Sequence, residues 1–326
     1  MASPPRAPGP PNDDIAIFDR RAVRAHRLRS ALAEKGAGAG ALLFAEVASR
    51  LGERLDAVRR DFPRALDLGC HGGAMARVLG RRAGAELLVH ADLAPGYAAA
   101  ARAAGGGLAI AADEEFLPFA PDSFDLVVSA LALHWANDLP GALIQIARAL
   151  KPDGLLLAAM LGGRTLSELR EALLEAELEI EGGAGPRVSP FADVRDAGAL
   201  LQRAGFALPV VDRDTITVAY DDALALMRDL RALGETNAVI RRRRAFTRRA
   251  TLLRAAALYQ ERHAGPDGRI RATFDVIYLT GWKPDASQPK ALRPGSARHR
   301  LADALKTDEI PAGDATPFPR TPKPTS

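Results

Sequence analysis

The sequence predicts an α/β fold on a doubly wound, mostly parallel sheet. Two observations carry this. Short apolar runs alternate with helix-period segments between about residues 64 and 283. These runs are apolar almost throughout rather than at every second residue, as strands buried on both faces are. The 326 residues, 48% of them hydrophobic, suffice for one large core, or a core with a small accessory subdomain.

Residues 65–69 form a short apolar strand ending in glycine, and a helix starts at Ala74. Residues 86–91 make a second strand, followed by a small-residue helix from about Gly96. Residues 108–112 and 124–131 give the third and fourth strands. Asp138 offers an N-cap for a helix running to Leu150, stopped by Lys151-Pro152-Asp153-Gly154. Residues 155–161 are a fifth strand. Thr165-Leu166-Ser167-Glu168 reads as a capping box opening an acidic helix. Asp193 caps another helix that ends at Gly205. Residues 206–211 and 215–218 are strand-like, residues 222–262 read as two helices, and residues 272–279 are a last strand. The 222–262 insertion is expected to sit over the sheet as a lid.

The flanks differ in kind. Residues 1–14 are Pro-rich, carry acids, and lack both the apolar core of a signal peptide and the basic amphipathic pattern of a transit peptide. A disordered tail is expected there, then a helical cap over 15–60, the main domain over 61–283, and a Pro-rich disordered tail over 284–326. The apolar runs fall far short of the roughly 20 residues that cross a bilayer. The single cysteine, Cys70, allows neither an intramolecular disulfide nor a thiolate zinc site. A cytoplasmic location is expected, with peripheral membrane association left open. A net charge of +4 does not announce a nucleic-acid partner.

In open α/β sheets, ligands bind beyond the carboxyl ends of strands. The loop there is Asp67-Leu68-Gly69-Cys70-His71-Gly72-Gly73. A dinucleotide fingerprint starting at Gly69 would need glycine at 71 and 74, where the chain has His71 and Ala74. No Gly-Lys-Ser/Thr follows for a mononucleotide P-loop. Acids ending successive strands favour S-adenosylmethionine instead. Asp67 can reach its ammonium, Asp92 its ribose hydroxyls and Asp113 its adenine amino group. The N-terminus of the helix after the loop offers N–H groups to the methionine carboxylate. Gly69, Cys70, His71, Gly73, Leu93, Glu114, Ser129 and Leu131 complete the expected cofactor contacts.

The motifs ADEEFLPF (112–119), FDLVVS (124–129), LHWANDLP (133–140), LKPDG (150–154), GGRTLSELR (162–170), SPF (189–191), RAGF (203–206), MRDLR (227–231), GETN (234–237) and GW (281–282) resemble the methyltransferase-like assembly factors of respiratory complex I. The malonyl-carrier-protein methyltransferases of biotin synthesis are a more distant likeness. The resemblance implies a Rossmann-like S-adenosylmethionine-dependent methyltransferase fold. Its sheet would be mostly parallel and seven-stranded, with an antiparallel last strand and a helical lid. It implies a methyltransferase-type enzyme acting on a protein substrate in assembly of NADH:ubiquinone oxidoreductase. Arginine hydroxylation with the cofactor bound, or a non-catalytic assembly chaperone, are its alternatives. His71 stands where the family has glycine.

Methyl transfer needs in-line positioning and exclusion of water, and a base is optional. His134, after the fourth strand, is the candidate base. Trp135 is expected to pack against adenine or the core. His90-Ala91-Asp92 has the His-x-Asp spacing of an iron site, but no third ligand follows, so no metal is expected. Arg241–Arg244 with Arg248 and Arg249 read as a solvated helix face or a dock for an acidic partner. Glu235 and Asn237 could reach a substrate from the lid.

Overall fold

The apolar runs pair into one sheet. Its strands are β1 (Arg64–Leu68), β2 (Leu87–Asp92), β3 (Leu108–Ala111), β4 (Phe124–Ala130), β5 (Leu150–Leu161), β6 (Ala207–Tyr220) and β7 (Ile270–Trp282). They lie in the order β3-β2-β1-β4-β5-β7-β6. The first five are parallel, and β7 runs antiparallel to both β5 and β6. The strand order reverses between β1 and β4, which opens a crevice at their carboxyl ends. This computed structural model describes residues 16–33, 39–80, 85–289, 303 and 305–307. The chain divides into a unit of residues 1–286 and a second of residues 287–326. The tail expected at 1–14, and most of that at 284–326, lie outside the described residues.

The helices are α1 (Arg20–Leu32), α2 (Ala39–Asp56), α3 (Ala74–Leu79), α4 (Pro95–Gly105), α5 (Leu139–Ala149), α6 (Ser167–Glu181), α7 (Val194–Arg203), α8 (Ala223–Ala232) and α9 (Arg249–His263). Apolar side chains fill both faces of the sheet. Along β5, Leu155, Leu157 and Ala159 join α2's Val47, Leu51 and Leu55 on one face. Leu156, Ala158 and Met160 join Leu143 and Ile146 of α5 on the other. The run shows no alternation in polarity, yet its residues alternate in destination.

Three local expectations change. Lys151-Pro152-Asp153-Gly154 belongs to β5 itself, because Leu150 already pairs with Phe124 and a register shift before Leu126 absorbs the excess. Residues 207–220 form one strand, not two. Asp212 and Asp214 looked like a break, but they face Arg54 and Arg50 of α2 across the sheet edge. The Thr165–Glu168 box does not cap α6. Its Thr165 hydroxyl donates to the Asp275 carbonyl at 3.1 Å, and the Glu168 carboxylate accepts from Thr273. Leu166, at φ 54°, precedes the helix without a side-chain cap. Asp138 does cap α5, accepting from the Gly141 N–H at 2.8 Å. None of the described helices is long and apolar enough to cross a membrane.

Candidate functional site

The turn after β1 is forced by close approach. Gly69 sits at φ 67°, and a Cβ there would lie 2.1 Å from that of Ala132. Asp67, just before it, is fully buried. Its Oδ2 meets His90 Nδ1 at 2.9 Å, and His90 Nε2 lies 3.1 Å from the Gly106 carbonyl. Both imidazole nitrogens therefore face acceptors, so His90 carries two protons or Asp67 holds one. Burial pushes the Asp67 carboxyl up, against the pull of His90. Asp67 Oδ1 has no hydrogen-bond partner.

His71 takes φ 43°, a left-handed backbone uncommon for a side chain of its size. Its N–H donates to Asp92 Oδ2 at 3.1 Å, and its Nε2 lies 3.0 Å from the Leu131 carbonyl, so that nitrogen carries the proton. The ring fills the space between Phe44 and Tyr97, with centroids 4.7 and 5.4 Å away. Burial, with Arg27 nearby, holds the imidazole below its usual pKa and so neutral. Helix α3 starts at Ala74, after an N-cap at Gly73, and has only 6 residues, so its end offers little of a macrodipole. The Cys70 side chain packs among Ala76, Ala98 and Ala101, and burial pushes its thiol pKa up. A small apolar side chain packs better there than in a polar cleft.

The remaining acids converge as expected, but on a partner the sequence reading missed. Asp92 Oδ1 accepts from the Ala94 N–H at 2.8 Å and lies 3.8 Å from Arg27 Nη1. Arg27 also pairs with Glu114 Oε1. Arg20 pairs with Asp113, with Glu114 at 2.8 Å and with Glu115 at 3.0 Å. Burial would raise the Glu114 pKa, but Arg27 and Arg20 override it and hold the group at about 2. The signal was present: residues 20 and 27 are two helical turns apart and share a face. Because that pKa is depressed from about 4.5, the stability it supplies is intact above pH 4.5 and is lost as pH falls toward 2. Urea unfolding between pH 6 and pH 3 is therefore expected to show a steep acid loss that Glu114→Gln flattens. Equal slopes in the two proteins would refute the assignment.

A second cluster lies past β4. His134 and Trp135 form a short 3-10 turn, and the His134 Nε2 and Trp135 Nε1 both lie 3.0 Å from Glu235 Oε2. Trp135 stacks edge-on against Phe18 at 5.2 Å and partly buried Leu93 packs there, so the indole serves core and cluster together. Burial raises the Glu235 pKa, but His134 outweighs it and the carboxylate stays charged. Glu235, not His134, lines the neighbouring cavity of about 880 Å³. Leu131, Leu161, Leu169, Phe191 and Phe274 make much of its wall, and Arg187, Arg228 and Arg231 also border it. His134 thus stands behind Glu235, a correction to its reading as the base that meets substrate. Ser129 is fully buried with its Oγ unpartnered, and Leu131, at φ 56°, presents its carbonyl to His71.

Other expected residues also have partners within the chain. Asn237 binds the Pro186 carbonyl and the Val239 N–H, which fixes the segment between α8 and α9, and it lines the same cavity as Glu235. The basic run is not a helix face. Residues 241–248 precede α9, with Arg242 and Arg244 paired to Asp19, and Arg243 and Arg248 to Glu181. Among the described residues no three His, Cys, Asp or Glu side chains cluster as a metal site, and His90 is enclosed as above.

A methyltransferase domain family matches residues 66–158. Human arginine-hydroxylase NDUFAF5, mitochondrial, is 46% identical over 266 residues, covering 81% of this chain and 76% of that protein. The Danio rerio protein of that name is 44% identical, covering 81% and 82%. The chain belongs to the methyltransferase-domain family that includes NDUFAF5. Malonyl-[acyl-carrier protein] O-methyltransferase of Halorhodospira halophila is a further relative at 40% identity, covering 87% of this chain and 95% of that protein. Among solved structures, YcgJ of Bacillus subtilis aligns with a TM-score of 0.52 at 18% identity, over 73% of this chain and 99% of that one, a likeness of fold.

The fold is the S-adenosylmethionine-dependent methyltransferase fold, and S-adenosylmethionine is its cofactor. The donor set suits that group in kind. The orphaned Asp67 oxygen suits an ammonium, and Asp92 and Asp113 stand at the ends of neighbouring strands. In this conformation α1 holds Asp92, Asp113 and Glu114.

Proposed function

We propose that this NDUFAF5-family chain is an S-adenosylmethionine-dependent methyltransferase-type enzyme acting in the cytoplasm on a protein substrate, a subunit of NADH:ubiquinone oxidoreductase, during assembly of that complex. The observation that carries it is the placement of Glu235. Its carboxylate lies on the wall of the large apolar cavity, held by His134 and Trp135 just past the end of β4.

Bound cofactor would supply an electrophilic methyl group. Asp67, Asp92 and Asp113 would hold it. The protein's own part is to align the acceptor and exclude water, which the apolar cavity wall favours. Glu235 is charged and can orient a substrate N–H or take up its proton. His134 positions it: with the Nε2 proton given to Glu235, the imidazole tautomer is fixed and the carboxylate cannot swing away.

A second reading has one specific support. The NDUFAF5 relatives are named arginine hydroxylases, and a fixed carboxylate in an apolar cavity suits a guanidinium on an aliphatic stem. Mass spectrometry of the subunit after incubation with the protein separates the readings. Gain of a methylene's mass is the expected result. Gain of one oxygen atom supports hydroxylation, and no gain on any subunit removes the enzymatic reading.

A further inference from the structure

The adenosyl half of the crevice is already filled, and by the chain itself. Arg27 is only 1% exposed, although arginine is among the residues least often buried. Its guanidinium bonds Glu114, sits 3.8 Å from Asp92 and reaches the Ala132 carbonyl at 3.5 Å. Arg20, one helical face along, takes Asp113, Glu114 and Glu115. We infer that α1 is an internal competitor for the cofactor: its two guanidiniums occupy the carboxylates that would receive ribose and adenine, so S-adenosylmethionine binds only as α1 leaves the crevice. This rests on the cofactor reading given above.

The way α1 is docked supports exchange. Its fully buried residues are Val23, Arg27 and Ser30, with Ala22 partly buried beside Val23, so two of the three side chains it buries fully are polar. An apolar helix face is lost to water at a cost that grows with the apolar area exposed. A polar face can trade its partners for those of a ligand. Ribose hydroxyls and an adenine amino group can satisfy Asp92 and Asp113, while Glu114, uncovered as α1 departs, and the freed guanidiniums are hydrated.

The same helix is tied to the lid. Ser30 bonds the Ala232 carbonyl, His26 Nδ1 lies 3.0 Å from the Thr236 carbonyl, and Arg29 reaches the Thr236 hydroxyl at 3.4 Å. At its start, Asp19 pairs with Arg242. Thr236 lies next to Glu235 on the cavity wall. Movement of α1 therefore removes bonds that fix the lid beside Glu235, so cofactor entry and substrate access become one event. If the closed form dominates, apparent cofactor affinity falls by the fraction of chains that are open.

Hydrogen exchange of the full chain, with and without saturating S-adenosylhomocysteine, tests this in the unaltered protein. Amides of residues 20–32 are expected to exchange faster when the ligand is bound. Calorimetry should give Arg20→Gln, a variant at a partly exposed position, about tenfold tighter binding than the parent. Tight binding with α1 protected or unchanged would overturn the competitor and leave the cofactor reading standing. No binding by either protein would overturn both. Binding by Arg20→Gln alone would support the competitor outright.

Discussion

Arg27→Met is expected to destabilise the fold by about 3–5 kcal/mol at neutral pH. The loss is not of packing, since methionine keeps much of the stem. It comes from leaving Asp92 buried without its cation and Glu114 with only Arg20. In the parent, Arg27 and Arg20 hold Glu114 ionised down to about pH 2. Without Arg27, only Arg20 opposes desolvation and the Glu114 pKa rises, so the stability gap narrows as pH falls and the group protonates. Arg27→Met combined with Glu114→Gln should recover a large part of the loss. Urea titrations of the three proteins at pH 7 and pH 4 measure this. Additive single effects, with no recovery in the double variant, would show that the pair is not coupled as described.

Glu235→Gln is expected to lower turnover on the protein substrate about 100-fold, within the range for loss of a positioned acid–base group. The amide oxygen can still accept from His134 and Trp135, so the fold and the cavity wall survive. What disappears is the charge. Cofactor should still bind, because Asp67, Asp92 and Asp113 are untouched by the change. His134→Gln should also reduce turnover and shift its pH profile, since it disturbs the carboxylate through its hydrogen bond. Full turnover by Glu235→Gln would remove the carboxylate from the chemistry.

The sheet was legible because parallel strands buried on both faces have no choice of polarity. The run at 155–161 reads as a strand, and the structure pairs it between β4 and β7. Edges were harder to read. The middle of β6 looked like a loop because Asp212, Arg213 and Asp214 are charged. An edge strand can carry such residues if something meets them, and α2 does. Local helix signals failed where a distant strand outbid them, as at Thr165 and Glu168. At the site, the acids could be named because their places follow from strand ends. Their partners could not, since Arg20 and Arg27 come from a helix some 65–95 residues earlier in the chain. Only their seven-residue spacing hinted that they act together.

The position of β7 has a consequence for biosynthesis. β7 lies between β5 and β6, so β6 has no neighbour in the sheet until residues 270–282 have left the ribosome. Strands β1 to β5 can pair in order as they emerge, each next to one already made. β6 must wait through α8 and α9 with both edges bare, a state prone to pairing with other chains. Ribosome stalling between residues 220 and 270 should therefore yield nascent chains that depend on chaperones. The same chains become protease-resistant once the last strand slides into place.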